Sequence, residues 1–416
     1  MQTLSLTTSQ EQCLRDQSIS EDQPGTVLRD FGMLLDFLGA DGVEAGGKTN
    51  LLPIRLIGEL DRRLSRPLNL ELKRPQIKSH PYIQGLNLLL RASGLCFVDG
   101  AGAKSRLAID PGMRMQWDQL NPTEQYFNLL ESWLRIGRAE LFEDRPRSDG
   151  PLMLPCLNAW RSTPQAGLTF NTSNPQFVHI HGIGRDFYNL ALLDLFGLME
   201  VEQPRRPISP WCPAGLKHLP FGDAVFSVLT GRLLVYLGIT PGTRGTDDEE
   251  DEMHTPRFGV WQPLFQPYFP DWRQNLEIHI PEPRDGTFVF RVSVGKIWRL
   301  IAMPAEATLD DLVTMILRSF NFDDDHLYEF TYRDRVGTKL RAVHPAIDDG
   351  YCAEDIEIGT IPLEPGQTME LHYDFGDDWR FAVMLDRIEP QRSKSAAPKI
   401  LEKHGKSPTQ YSDWDE

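Results

Sequence analysis

The chain has 416 residues, 59 acidic and 43 basic side chains, a net charge of −16 and 40% hydrophobic residues. That length predicts two or three domains with ordinary cores and excludes a mainly disordered chain. The acidic total excludes a protein that coats nucleic acid over its whole surface, but not one with a local basic face.

In chain order, the first 22 residues carry neither a basic n-region nor an apolar h-region, so no secretory signal is expected. Two segments then resemble each other. Leu89-Leu90-Arg91-Ala92-Ser93-Gly94-Leu95 and Leu192-Leu193-Asp194-Leu195-Phe196-Gly197-Leu198 share Leu-Leu and Gly-Leu at a constant offset. Each predicts a helix (Tyr82 to Ser93; Phe187 to Phe196) stopped by Gly, followed by a short strand. After the first, DGAGAK is a turn signal, and Leu107-Ala108-Ile109 is the returning strand. Further helices are expected from Asn121-Pro122-Thr123-Glu124 to Arg138 and from Gly222 to Leu237. Helix, helix and hairpin is the layout of a winged helix.

The expected architecture is therefore α+β. A winged-helix-like module over residues 1–140 precedes a second over 141–238, both mostly α. An acidic, Pro-rich linker follows at 239–275, and an α+β domain occupies 276–416. The window Ala224–Ile239 is interrupted by Arg232 and too short to cross a bilayer, so no membrane partner is expected. Cys13, Cys96, Cys156, Cys212 and Cys352 are odd in number and widely spaced, which favours free thiols in a reduced cytoplasmic protein.

The charge is unevenly placed. Residues 51–110 hold ten Lys/Arg against five Asp/Glu, residues 247–252 read DDEEDE, and residues 276–416 hold 16 basic and 27 acidic side chains. The basic stretch makes DNA a candidate partner of the first module. Gln84 and Arg91 are then expected to face outward from the reading helix, with Lys104 and Arg106 on the wing.

Three motifs imitate chemistry. Gly42-Val-Glu-Ala-Gly-Gly-Lys48-Thr49 fits the P-loop pattern, with Phe31–Leu38 as a conceivable strand before it. Pro53 falls where the following helix would need a free N–H, and no alternation of strands and helices builds a parallel sheet, so a loop before a helix near Leu52–Pro53 is the better reading. His179 and His181 share one face of an extended segment but lack a third ligand. Asp374-Phe375-Gly376 matches a kinase tripeptide with no accompanying kinase loops.

The last third is the most distinctive. Thr287–Val294 and Lys296–Pro304 read as strands, Thr308 caps a helix to Phe320, and Asp325–Phe330 enters another strand. Leu371–Val383 reads as two extended halves around a Gly-Asp-Asp turn. The family-type positions are Trp298, Arg299, His326, Tyr373, Asp374, Phe375, Gly376, Asp377 and Trp379. In this order these blocks resemble the plasmid pRiA4b ORF-3-like family over residues 284–416. The resemblance implies a β-grasp-like (ubiquitin-like) α+β domain and an association with plasmids and transposon passenger genes. Many family members carry His where this chain has Phe381.

His326, Glu329, Asp374, Asp377 and Asp378 are the candidate catalytic residues. If their blocks pair in space, a His and several carboxylates gather into an acid–base or divalent-metal site. The alternative is turn chemistry in the Asp-Gly segment. The primary expectation is a DNA- or protein-binding regulatory protein. A metal-dependent hydrolase or nuclease and a protein scaffold are the alternatives.

Overall fold

The computed structural model describes residues 6–46, 50–70, 72, 76–100, 105–138, 141, 152–170, 187–204, 211–236, 257–278, 282–337, 339–347, 350–390 and 397–411. The chain divides into two units, residues 1–97 with 106–278 and residues 98–105 with 279–416.

The first unit is built from helices α1 (Thr8–Asp16), α2 (Val27–Leu38), α3 (Ile54–Arg63), α4 (Pro81–Ala92), α5 (Pro111–Gln119), α6 (Pro122–Glu131), α7 (Met153–Ser162), α8 (Phe187–Leu195) and α9 (Pro220–Tyr236). Its strands are β1 (Val43–Glu44), β2 (Cys96–Asp99), β3 (Arg106–Ile109), β4 (Leu168–Thr169), β5 (Met199–Glu202) and β6 (Gly215–His218). They form two small sheets of matching order, β1-β3-β2 and β4-β6-β5. The repeat is real in structure. Strands β2 and β5 begin 103 residues apart, at Cys96 and Met199, each just after its helix. Gly94 (φ +74°) and Gly197 (φ +65°) end the two helices in the left-handed region that only glycine enters cheaply.

Helices α4 and α8 pack on each other. A Cβ at Gly85 would lie 2.8 Å from Leu192 Cγ, so the missing side chain is what lets the helices approach. Asp194 on α8 accepts from Tyr82 Oη on α4 at 2.8 Å and from Arg66 Nη1 at 2.8 Å. Gln203 Nε2 donates to the Tyr82 hydroxyl and Trp211 Nε1 to Gln203 Oε1 (2.6 and 2.9 Å). Every polar group in this chain of contacts therefore has a partner, which a buried network requires.

Residues 257–278 pack into this unit, so the expected linker is not a linker over its described part. Glu131 on α6, fully buried, accepts the backbone N–H groups of Gly259 and Trp261 at 2.6 Å each. One turn and two turns earlier, Asn128 and Glu124 accept those of Leu276 and of Arg273 and Gln274. Trp272 stacks on Phe127 at 4.4 Å. The Pro-rich composition marked a break in regular structure, and the helix side chains satisfy the irregular backbone instead. Residues 239–256 lie outside the described residues.

Another difference concerns Phe31–Leu38, which belongs to helix α2 and not to a strand. Val43 and Glu44 form β1 inside the P-loop-like motif, and α3 begins after Pro53. A strand, phosphate loop and helix in sequence is not what these residues build. Lys48 and Thr49 lie outside the described residues.

The second unit comprises β7 (Thr287–Val294), β8 (Ile297–Pro304), α10 (Leu309–Phe320), β9 (Tyr328–Arg333), β10 (Lys339–Val343), β11 (Tyr351–Cys352), β12 (Thr368–Tyr373), β13 (Trp379–Glu389) and β14 (Lys399–His404). All strands join one sheet of order β11-β10-β9-β12-β13-β7-β8-β14. Every pair is antiparallel except β10 with β11. Thr308 is the expected N-cap of α10, and with Asp311 it forms a capping box. Alternation decides the faces. Phe330, Leu371, Phe381, Phe290 and Ile301 pack with Leu312 and Ile316 of α10 in one core. Each such side chain contributes roughly 1.5–3 kcal/mol by leaving water. The opposite face carries Glu329, Glu370, His372 and Arg380 at the alternating positions.

Candidate functional site

The expected DNA-reading face of α4 is not presented to solvent. Gln84 is 8% exposed and Arg91 is fully buried. The Arg91 guanidinium reaches the carbonyl of Leu141 at 3.1 Å. The two residues do share one helix face, together with His80 and Asn87, but that face is covered. The physical reason is that every residue of α4 is buried, with Arg91 turned to backbone carbonyls and Tyr82 to the Asp194 carboxylate rather than to water. Arg106 donates to the carbonyls of Asp41 and Gly42 at 2.6 and 3.2 Å, tying β3 to the turn before β1. Lys104 lies outside the described residues, as do His179 and His181.

In the second unit, His326 and the Asp374–Asp378 turn do meet. His326 Nε2 is 3.4 Å from Asp374 Oδ2 and 3.4 Å from Asp325 Oδ1. The imidazole stands edge-on between Tyr373 and Tyr411. Asp374 N–H donates to the Leu327 carbonyl at 3.0 Å, so the two loops are joined through backbone as well. Asp374 Oδ1 accepts from Gly376 N–H (3.0 Å) and Asp377 N–H (3.3 Å), and Asp374 and Asp378 have φ of +52° and +54°. The Asp374 side chain therefore shapes the turn as well as facing His326.

Glu329 does not join this group. It projects onto the open face of the sheet and is held by Arg341, whose Nε and Nη2 lie 3.0 and 2.9 Å from its Oε2. Asp378 turns to the same face, with its Oδ1 2.8 Å from His372 Nε2 and 2.9 Å from Arg380 Nε. Arg380, with smaller help from His372, holds the Asp378 carboxyl below its ordinary range. Asp377 is exposed. The five candidates thus divide between a corner (His326, Asp374) and the open face (Glu329, Asp378), with Asp377 at the turn's surface.

His372 escaped the sequence reading. Its signal is the register: β12 pairs with β9 so that His372 faces Glu329 across the strands, and with β13 so that it faces Arg380. That row becomes visible only once the three strands are aligned.

The remaining family-type positions are mostly structural. Arg299 is 2% exposed. It donates to the carbonyls of Ser319 (2.9 Å) and His404 (2.9 Å) and to Ser407 Oγ (2.8 Å), and it lies over the Phe320 ring. It fastens the end of α10 to β14. Trp298 stacks between Arg291 and His404. Trp379 Nε1 donates to the Gln410 carbonyl at 3.2 Å. Tyr373 donates to the Asp323 carbonyl at 2.5 Å, and burial, aided by neighbouring Asp325, pushes its hydroxyl up to about 12, so it remains a donor. Phe375 is 45% exposed at the tip of the turn, with its ring 4.8 Å from His372.

Among the described residues, no group of three or more His, Cys, Asp or Glu side chains is placed to hold a metal ion. Among those residues, no helix is long and apolar enough to cross a membrane.

Residues 290–411 match the family model of the plasmid pRiA4b ORF-3-like protein. The pRiA4b ORF-3-like match covers the unit that carries the His326–Asp374 corner, as the sequence blocks implied. No curated protein matches the chain. Among solved structures, a crystal structure of a protein of unknown function from Methanosarcina mazei Go1 is similar at 22% identity and a TM-score of 0.27, covering 29% of this chain and 70% of that one.

Proposed function

We propose that this is a protein-interaction protein of plasmid or transposon association and not a DNA reader. In this reading the first unit is a scaffold of two winged-helix-like modules. The order α2-β1-α3-α4-β2-β3, with the sheet order β1-β3-β2, supports the winged-helix assignment. The hairpin β7–β8 followed by α10 across the sheet supports a β-grasp-like second unit. The observation that carries the functional reading is the burial of α4. In a DNA-binding winged helix this helix enters the major groove, and its base-contacting side chains must be free. Here Gln84 and Arg91 are covered and α4 packs on α8.

A titration of fluorescent duplex DNA with the full chain at about 20 mM salt tests the reading. Phosphate-contacting proteins lose affinity steeply as salt rises. The expected result is no saturable binding. A salt-steep isotherm weakened by Arg106→Ala would overturn it.

The enzyme reading rests on the approach of His326 to Asp374. Metal-dependent phosphodiester hydrolysis that disappears in His326→Ala would favour it over the reading proposed here.

A further inference from the structure

His218 ends β6 in the first unit, and its imidazole is held from two sides. Nδ1 lies 2.5 Å from Asp223 Oδ1 on α9, and Nε2 lies 2.7 Å from the carbonyl oxygen of Thr163, the residue that follows and caps α7. The His218 side chain is 7% exposed, and Thr163 is buried. Asp223 Oδ1 also accepts from Trp160 Nε1 on α7 at 2.7 Å. One ring and one carboxylate thus join β6, α7 and α9.

The proton count fixes the state of the ring. A carbonyl oxygen only accepts, so Nε2 carries a hydrogen. A carboxylate oxygen 2.5 Å from Nδ1 needs a second proton between the two atoms, whichever of them it is bonded to. A neutral imidazole beside an ionised carboxylate has one proton for two acceptors, and it sets a lone pair against Thr163 or against Asp223. The pair as built therefore holds two protons, as an imidazolium beside a carboxylate. The carbonyl end of a helix favours a cation, and α7 ends at Thr163.

The neighbouring elements bring no competing charge. On α7, Arg161 is exposed. On α1, burial together with Asp16 and Asp223 pushes the Cys13 thiol up, so it stays neutral. The residue opposite His218 on β5 is Met199, and β4 pairs with β6 through the uncharged Leu168 and Thr169. Lys217 is paired with Glu200 and Glu202. Among the described residues, Asp223 is the one ion-pair partner of His218.

We propose that His218 and Asp223 form a pH-sensitive clamp: with two protons the pair holds the end of α7 to β6 and α9, and with one it releases that end. The remaining hydrogen stays with the charge-assisted contact to Asp223, the stronger of the two, so the Thr163 contact is the one lost. The sign follows from the count. The fold fits the proton-loaded pair, so the stability it contributes is present at low pH and is lost as pH rises.

Nitrogen-15 NMR of the full chain with labelled histidine tests the proton count. The His218 signals are assigned through contacts with the Trp160 ring, whose centroid is 6.0 Å away, so no variant is needed. The expected result is hydrogens on both ring nitrogens at about pH 7, where an ordinary histidine is mostly neutral. Urea titrations between about pH 5.5 and about pH 8 test the clamp, since one proton changes an unfolding constant by up to ~10-fold per pH unit. The unfolding constant should rise ~10-fold more across this range in the unmodified chain than in His218→Gln. Asp223→Asn keeps an acceptor for Trp160 but removes the ionised partner, and it should flatten the profile in the same way. A single ring hydrogen on His218 at pH 7 overturns the inference, and so do parallel pH profiles in the unmodified chain and either variant.

Discussion

Asp374 uses one carboxylate oxygen to hold its own turn and the other to face His326: Oδ1 accepts the Gly376 N–H at 3.0 Å, and Oδ2 lies 3.4 Å from His326 Nε2. The two roles separate by mutation. Asp374→Asn keeps an acceptor and tolerates φ near +52°, whereas Asp374→Ala loses both. Urea denaturation should show Asp374→Ala less stable by about 1–2 kcal/mol and Asp374→Asn by less than half of that. His326→Ala should change stability by under ~1 kcal/mol, because its contacts are partly exposed and longer than hydrogen bonds. Equal large losses for all three variants would contradict the assignment of the turn to Asp374.

Gly85 sets the spacing of α4 and α8. Alanine there gains up to ~1 kcal/mol of helix propensity but brings its Cβ to 2.8 Å from Leu192 Cγ. Overpacking of this kind costs about 1–3 kcal/mol, so Gly85→Ala should be net destabilising by about 1 kcal/mol, and Gly85→Val by more. Combined with Leu192→Ala, the Gly85→Ala loss should shrink or change sign in a double-mutant cycle. Additive effects would place the helices farther apart than described.

Asn87 is fully buried, and among the described residues neither its side-chain nitrogen nor its oxygen has a hydrogen-bond partner. An unsatisfied buried amide costs about 1–3 kcal/mol. Asn87→Leu, close in shape, should therefore raise the urea midpoint rather than lower it. A large loss of stability would mean that the amide is satisfied within the fold.

Asp61 supplies a pH dependence. Burial pushes its carboxyl up, but His80 at 3.6 Å and the N–H groups of Leu68 and Asn69 outweigh that and leave it lowered from 3.8. A depressed carboxyl contributes stability above its unfolded value, and the contribution is lost as pH falls through the folded value. The Tm should drop below about pH 4, and Asp61→Asn should flatten that part of the profile while lowering Tm at pH 7. An unchanged acid limb in Asp61→Asn would remove Asp61 as the cause.

Much of the second unit was legible because its signals are local. Thr308 and Asp311 announce a helix start, and Phe290 and Val292 flank the outward Arg291 whichever strand they meet. The His326–Asp374 approach was legible as a possibility, since both residues stand where a loop joins a strand. The row Glu329–His372–Arg380 was not, because register between β9, β12 and β13 is written in no single segment. The repeat in the first unit was readable from Gly94 and Gly197. The fate of α4 was not. His80, Gln84, Asn87 and Arg91 form a polar stripe, and a polar stripe on one helix reads as a solvent face. Here the Leu141 carbonyl receives Arg91, and α8 takes the opposite side through Gly85.

The central claim is that α4 is an internal interface, and thiol accessibility tests it most directly. Asn87→Cys places a probe on the stripe, and Ile54→Cys supplies a reference at a residue that is 54% exposed. Maleimide labelling of the native chain, followed peptide by peptide by mass spectrometry, should modify residue 54 quickly. Residue 87 should react no faster than the buried Cys156. Labelling of residue 87 at the rate of residue 54 would contradict the account and return α4 to the surface as a reading helix.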